Sequence, residues 1–213
     1  MAKNKLHTQY RVNNKRVPSV TAIIGTNLGW NKASLISWAK NTAKAGNDPD
    51  KVRDEAASIG TLTHEMVENH IKGLETNLFL SSASDIQTAT LGYNAFLDWE
   101  MKNSPKYLES EVRLSSEELN YGGTIDLVIE LDGQIGILDI KTSKNVYPDH
   151  IIQLSAYRQL YTENVQKVDF CAIIKLDKVN GGFEYHSISN ERLDLAFEAF
   201  KHCLALHNLK KKV

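Results

Sequence analysis

Apolar residues recur at helical spacing through the first hundred positions and switch to two-residue alternation after Tyr107. The helical stretches predicted are about 19–25, 32–45, 50–73 and 84–102; in the last, Ile86, Ala89, Tyr93, Phe96 and Met101 mark one stripe. Strands are predicted at 107–114, 122–131 and 134–141, then a helix at 148–162, strands at 167–176 and 183–188, and a closing helix at 191–208. Asp48-Pro49 reads as an N-cap followed by proline at the first helical position. Helices first, then a three-strand meander, a helix and a returning strand, predict an α/β sandwich: a mixed sheet flanked by helices, with a helical elaboration at the N-terminal end.

Size and composition narrow the options. The chain has 213 residues, four prolines and no repeat or linker-like stretch, so one domain over 1–213 is expected, with 1–105 mainly helical and 106–213 forming the sheet core. Two cysteines, Cys171 and Cys203, are too few for a disulfide framework or a four-cysteine iron–sulfur site, and point to a reducing compartment. No apolar run has the length of a membrane span, and the first residues lack the apolar stretch of a secretory signal. A cytoplasmic protein with no membrane partner is expected, ahead of a mitochondrial one.

Charge changes the picture more. The net charge is −1, yet residues 1–47 contain no acid and eight basic residues, leaving 17 of the 25 basic residues to face all 26 acids in the remainder. A polyanion-binding end on an acidic body is expected. Lys3, Lys5, Arg11, Lys15 and Arg16 are candidate phosphate contacts, and Trp30 is a candidate stacking surface for an unpaired base. Trp38 reads instead as a core residue of its helix, and the Lys210–Lys212 tail as solvated surface.

The chemistry is concentrated in one hairpin. Asp132-Gly133 between two β-rich runs predicts a two-residue type I′ turn. That register sets Leu131 against Gln134, Val128 against Ile137 and Asp126 against Asp139. Thr124, Asp126, Val128 and Glu130 would then share a face with Ile135, Ile137, Asp139 and Lys141, while Ile125, Leu127, Ile129, Leu131, Leu138 and Ile140 form a core face. Two aspartates directly opposite repel, and the placement makes sense if a divalent cation sits between them. Hard oxygen donors with room for water suit Mg²⁺ or Mn²⁺, and Lys141, two residues beyond Asp139 on the same face, suits an attacked phosphate. The plainer reading is a solvated hairpin face carrying a minor Asp139–Lys141 ion pair.

Taken in order, IGTLTHEMVE, GGTIDLVIE, GILDIKTSK and IIQLSAYRQLY resemble the motifs of the PD-(D/E)xK nucleases, specifically the RecB-like branch. VPSVTAII is similar to the start of small phage and mitochondrial exonucleases of that branch. The resemblance implies a restriction-endonuclease-like fold, Asp126 and Asp139 as metal carboxylates, Lys141 as the catalytic lysine, and the Ile140 carbonyl and His64 as further metal ligands. It also implies a role for Gln153 and Tyr157, spaced i and i+4 on one helix face, in holding substrate backbone or the lysine. Glu111 occupies an acidic position with a supporting role. HEMVENH is not a zinc-protease signature, because Glu68 stands where the second histidine would be.

The implied activity is Mg²⁺- or Mn²⁺-dependent hydrolysis of DNA without an iron–sulfur cluster, acting on ends or single strands in recombination, repair or phage DNA processing. A helicase or single-strand annealing protein is a candidate partner. Two other readings remain open: a nucleic-acid-binding module that does not cleave, and a structural partner within a recombination complex.

Overall fold

A computed structural model describes residues 8–210 and 212–213. Its main sheet is built from β3 (Lys106–Ser116), β4 (Tyr121–Leu131), β5 (Gln134–Lys141), β6 (Phe170–Leu176) and β7 (Phe183–Ile188), in that spatial order. All neighbours are antiparallel except β5 and β6, which run parallel and are joined by α5 (Pro148–Asn164). A parallel connection needs a crossover of this length, whereas the meander β3–β4–β5 needs only tight turns. Asp132 and Gly133 take φ 51° and 77°, the left-handed pair a type I′ turn demands.

Both faces of the sheet are covered. One packs on α1 (Val20–Asn27), α5 and α6 (Asn190–Leu209), burying Val20, Ile23, Tyr121, Ile125, Val128, Ile137, Leu154 and Phe200. The other packs on α3 (Pro49–Lys72) and α4 (Ala83–Asn103), burying Val67, Phe96, Trp99, Leu127, Ile129, Leu138 and Ile140. The helices expected on both flanks of the sheet are present, and what is corrected is the single core face expected of the central hairpin. Val128 and Ile137, expected on the face bearing the chemistry, are wholly buried, because the α5 crossover must return across the sheet and covers that face.

The helix boundaries follow local chemistry. Ser19 caps α1 by accepting the Ala22 amide at 3.1 Å, Asp48 caps α3 through the Asp50 amide at 2.9 Å, and Gly73 ends α3 at φ 65°. By contrast α2 (Lys32–Lys44) buries none of its residues. Trp38 is 40% exposed, so its expected place in the core is overturned: the helix lies outside the two layers that exclude water.

A small hairpin was not foreseen. β1 (Tyr10–Val12) and β2 (Lys15–Val17) pair antiparallel around Asn13 and Asn14, whose φ angles of 48° and 62° asparagine tolerates better than most residues. Three-residue strands are too short to show a period. The hairpin seats on β4, where a methyl group at Gly122 would lie 2.3 Å from the Tyr10 ring, while one at Gly123 would lie 2.6 Å from the Tyr157 ring. Adjacent residues of a strand face opposite ways, so Tyr10 and Tyr157 close on β4 from its two sides. Gly122→Ala should displace the hairpin, lowering stability by about 1–3 kcal/mol in urea unfolding and opening residues 8–18 to proteolysis; wild-type values for both would show the seat to be adaptable.

Candidate active site

The ladder between β4 and β5 follows the expected register from Leu131–Gln134 to Leu127–Leu138 and ends there, one step before Asp126 and Asp139. The Asp126 carboxylate takes over, accepting the Ile140 amide through Oδ2 at 2.8 Å.

The reason lies in a break of phase. Tyr121 and Ile125 pack on the α5 side, yet so does Val128, while Leu127 and Ile129 pack on the α4 side. The alternation of β4 therefore slips by one residue at the level of Asp126. β3 is irregular over the neighbouring stretch as well, its register against β4 shifting between Tyr107 and Glu109. Glu109 accepts the Tyr161 hydroxyl of α5 at 2.7 Å and Val112 packs on the α5 side, an odd and an even position on one face. Between them Glu111 sits at φ 52°, left-handed backbone that costs a non-glycine residue roughly 1–2 kcal/mol. Ser110 pairs with Leu127 and Val112 with Ile125, but Glu111 and Asp126 are missing from the ladder between them. Irregularities of this kind re-aim side chains and concentrate beside active sites. The slip also corrects the expected faces: Ile125 leaves the side of Leu127, and Thr124 no longer shares a face with Val128.

Asp139 is 1% exposed. The Lys141 ammonium stands 2.6 Å from its Oδ2, in a geometry that leaves both carboxylate oxygens without a hydrogen bond. Burial, reinforced by Asp126, pushes the Asp139 carboxyl up despite the pull of Lys141. Burial works to lower the Lys141 ammonium, but the carboxylates of Asp139 and Asp126 outweigh it and hold the lysine above its usual range. With Asp139 raised, the folded chain keeps a proton at pH values where the unfolded chain has lost it. The stability contributed by this group is full in acid, below the ordinary aspartate value, and is lost as pH rises through the folded value.

His64 reaches the site from α3, its Nδ1 3.8 Å from Asp126 Oδ2. Gln153 donates from Nε2 to the Tyr157 hydroxyl at 2.7 Å, and the buried phenol is pushed well up, by burial first and then by Asp139 and Asp126. His64, Asp126, Asp139, Lys141 and Tyr157 thus form one electrostatic cluster, to which Gln153 is attached. Among the described residues no group of three or more His, Cys, Asp or Glu side chains converges on a metal position. The donors nonetheless fit a hard cation: two oxygens of a buried carboxylate lack hydrogen bonds beside a second carboxylate.

Four neighbours escaped the sequence reading. His150 shares the α5 face of Gln153 and Tyr157 at i−3 and i−7, a spacing that could have flagged it; burial and Lys141 hold its imidazole below the usual range. Tyr10 and Thr124 share a 2.6 Å hydrogen bond, which depends on a hairpin the sequence does not announce. Lys175, beside Lys141 on β6, donates to the Lys144 carbonyl at 3.2 Å and pins the loop leaving β5.

Of the expected nucleic-acid contacts, Arg11, Lys15 and Arg16 share the β1–β2 hairpin and Trp30 lies apart from them. Lys3 and Lys5 lie outside the described residues. Trp30, 67% exposed, lines a groove with Pro148, Ile151 and Arg192, at the start of α5. Arg11 lines a cleft with Glu163 and Asn164, at its end. Thirteen residues of helix, about 20 Å, separate these places.

The family model of the PD-(D/E)XK nuclease superfamily matches residues 38–205, and the chain belongs to that superfamily. It is a nuclease fold with the mixed sheet this membership implies. None of the curated proteins matches the sequence significantly. Among solved structures, an Eubacterium rectale protein provisionally assigned as an exonuclease is 13% identical, with a TM-score of 0.48 over 68% of this chain and 64% of its own. The chain thus spans 64% of that protein's length. The alkaline exonuclease LHK-Exo of Laribacter hongkongensis is 14% identical, with a TM-score of 0.36 over 70% of this chain and 82% of its own; LHK-Exo in complex with dAMP gives 0.39.

The strain at Glu111 generates a test. Glu111→Gly should stabilise the protein by about 1 kcal/mol in urea unfolding by relieving the left-handed backbone. A loss of stability would show that the carboxylate's own contacts exceed the strain.

Proposed function

We propose that this protein is a divalent-cation-dependent deoxyribonuclease, an exonuclease acting on DNA ends or single strands. The observation that carries the reading is the Asp139–Lys141 pair, buried and short of hydrogen bonds beside Asp126, in a chain of a nuclease superfamily. A carboxylate costs several kcal/mol to bury unless something compensates, and one ammonium with poor hydrogen-bond geometry is incomplete compensation.

Asp126 and Asp139, with the Ile140 carbonyl and His64, would hold Mg²⁺ or Mn²⁺. The bound ion supplies Lewis acidity at the phosphate and a water of lowered pKa. The chain's own groups do the rest. Lys141, kept charged by the two aspartates, sets an ammonium where negative charge grows on the attacked phosphate. Gln153 fixes the Tyr157 hydroxyl and with it a hydrogen-bonding edge for the substrate backbone. Action at ends follows from the resemblance of the four motifs to the RecB-like branch, in recombination, repair or phage DNA processing; a helicase or annealing protein would deliver the strand. Among the described residues no helix is long and apolar enough to cross a membrane.

Lys141→Ala should lower the cleavage rate of labelled DNA by at least about 10²–10³-fold with the fold intact by circular dichroism; wild-type rates would remove the lysine from the chemistry. Mg²⁺ or Mn²⁺ at a hundred times its dissociation constant should stabilise the wild type by about 2.7 kcal/mol, the increment vanishing in Asp139→Asn. Equal shifts in both proteins would place the ion elsewhere. Linear single- and double-stranded DNA should be degraded while a closed circle survives; nicking of the circle would make the enzyme an endonuclease.

A further inference from the structure

The β1–β2 hairpin carries a charge arrangement that packing does not explain. Arg11 and Arg16 are direct cross-strand partners, and like charges in that position are destabilising. No carboxylate relieves them: among the described residues neither forms an ion pair, and the one hydrogen bond from Arg11 goes to the Asn14 carbonyl at 2.9 Å. Lys15 beside them is likewise exposed and unpaired. Arg113, opposite Thr124 on β3, is a third exposed guanidinium with neither an ion pair nor a hydrogen bond among the described residues. Elsewhere on the surface Arg53 and Arg158 are held by aspartates, while Arg192, in the groove beside Trp30, is also exposed with no ion pair among the described residues.

These cations are joined to the carboxylate cluster. Arg113 is two residues along β3 from Glu111 and acts on the Tyr10 phenol, which Glu111 also faces. Tyr10, hydrogen-bonded to Thr124 over Gly122, locks the hairpin to β4 two residues from Asp126. Between hairpin and β3 lies a polar cleft of about 480 Å³ lined by Arg11, Asn13, Arg113, Glu117, Glu163 and Asn164. The Glu163 carboxylate there is engaged by the amides of Glu117, at 2.9 Å, and Glu118, at 3.4 Å.

We propose that the hairpin is a phosphate-binding wall: Arg11, Arg16 and Arg113 grip successive phosphates of a single DNA strand and lead it along β3 to the carboxylate cluster. The inference rests on the nuclease reading and adds the strand's path. It puts the wall at the Asn164 end of α5, away from Trp30, and on residues that precede the segment matched by the family model, apart from Arg113.

The test is fluorescence anisotropy of a labelled single-stranded (dT)₂₀ in EDTA across a range of NaCl concentrations. The combined variant Arg11→Gln, Arg16→Gln, Arg113→Gln should reduce the slope of log K against log[salt] by about 2, at roughly 0.7 per phosphate contact. The combined Arg→Lys variant should keep the wild-type slope, because counterion release counts charge. A Gln variant with the wild-type slope would overturn the wall, and so would a Lys variant that loses as much as the Gln variant. The nuclease reading fails separately, if the wild type does not degrade (dT)₂₀ when Mg²⁺ or Mn²⁺ replaces EDTA.

Discussion

A carboxylate buried beside an ammonium, with a second carboxylate alongside, is the constraint around which this protein is organised. Water would relieve the repulsion between Asp126 and Asp139, but α5 covers one side of the sheet and α3 and α4 the other. The Asp139 carboxyl is consequently raised and the Lys141 ammonium held charged. Neither group would be stable there alone. Together they form a site whose remaining demand, for positive charge at oxygens that lack hydrogen bonds, is the demand a phosphodiesterase meets with a metal ion.

The backbone serves this arrangement at a cost. Breaking the alternation of β3 and β4 beside Asp126 forfeits ladder hydrogen bonds and strains Glu111, yet it turns that part of the sheet from wall into site. The Asp126 carboxylate recovers one lost partner by accepting the Ile140 amide. Tyr157 and Tyr10 close on β4 from opposite faces at the adjacent glycines, so the strand cannot shift to relieve the strain. Precision at Asp126 is therefore a product of packing on both sides of the sheet.

Local signals carried much of this into the sequence. Asp132-Gly133 fixed the turn, and with it five residue pairs of the β4–β5 ladder. Asp48-Pro49 marked the start of α3, and the i, i+4 spacing of Gln153 and Tyr157 put them in hydrogen-bond contact. Failures came where the signal was short or non-local. The Asn13-Asn14 hairpin spans too few residues to show a period. Trp38 has a core residue's chemistry on a helix that buries none of its residues.

The sequence by itself determined the order of elements, the register of the central hairpin and the identity of the charged residues near its end, because turns, caps and alternation depend on neighbours a few positions apart. Only the tertiary structure decided that alternation breaks at Glu111 and Asp126, that Val128 and Ile137 are buried beneath α5, and that Tyr10, His64, His150 and Tyr157 meet the carboxylates from three separate segments. Those outcomes follow from how helices and sheet fill space together. Burial, which sets the charge state of Asp139 and Lys141, is a property of that whole packing.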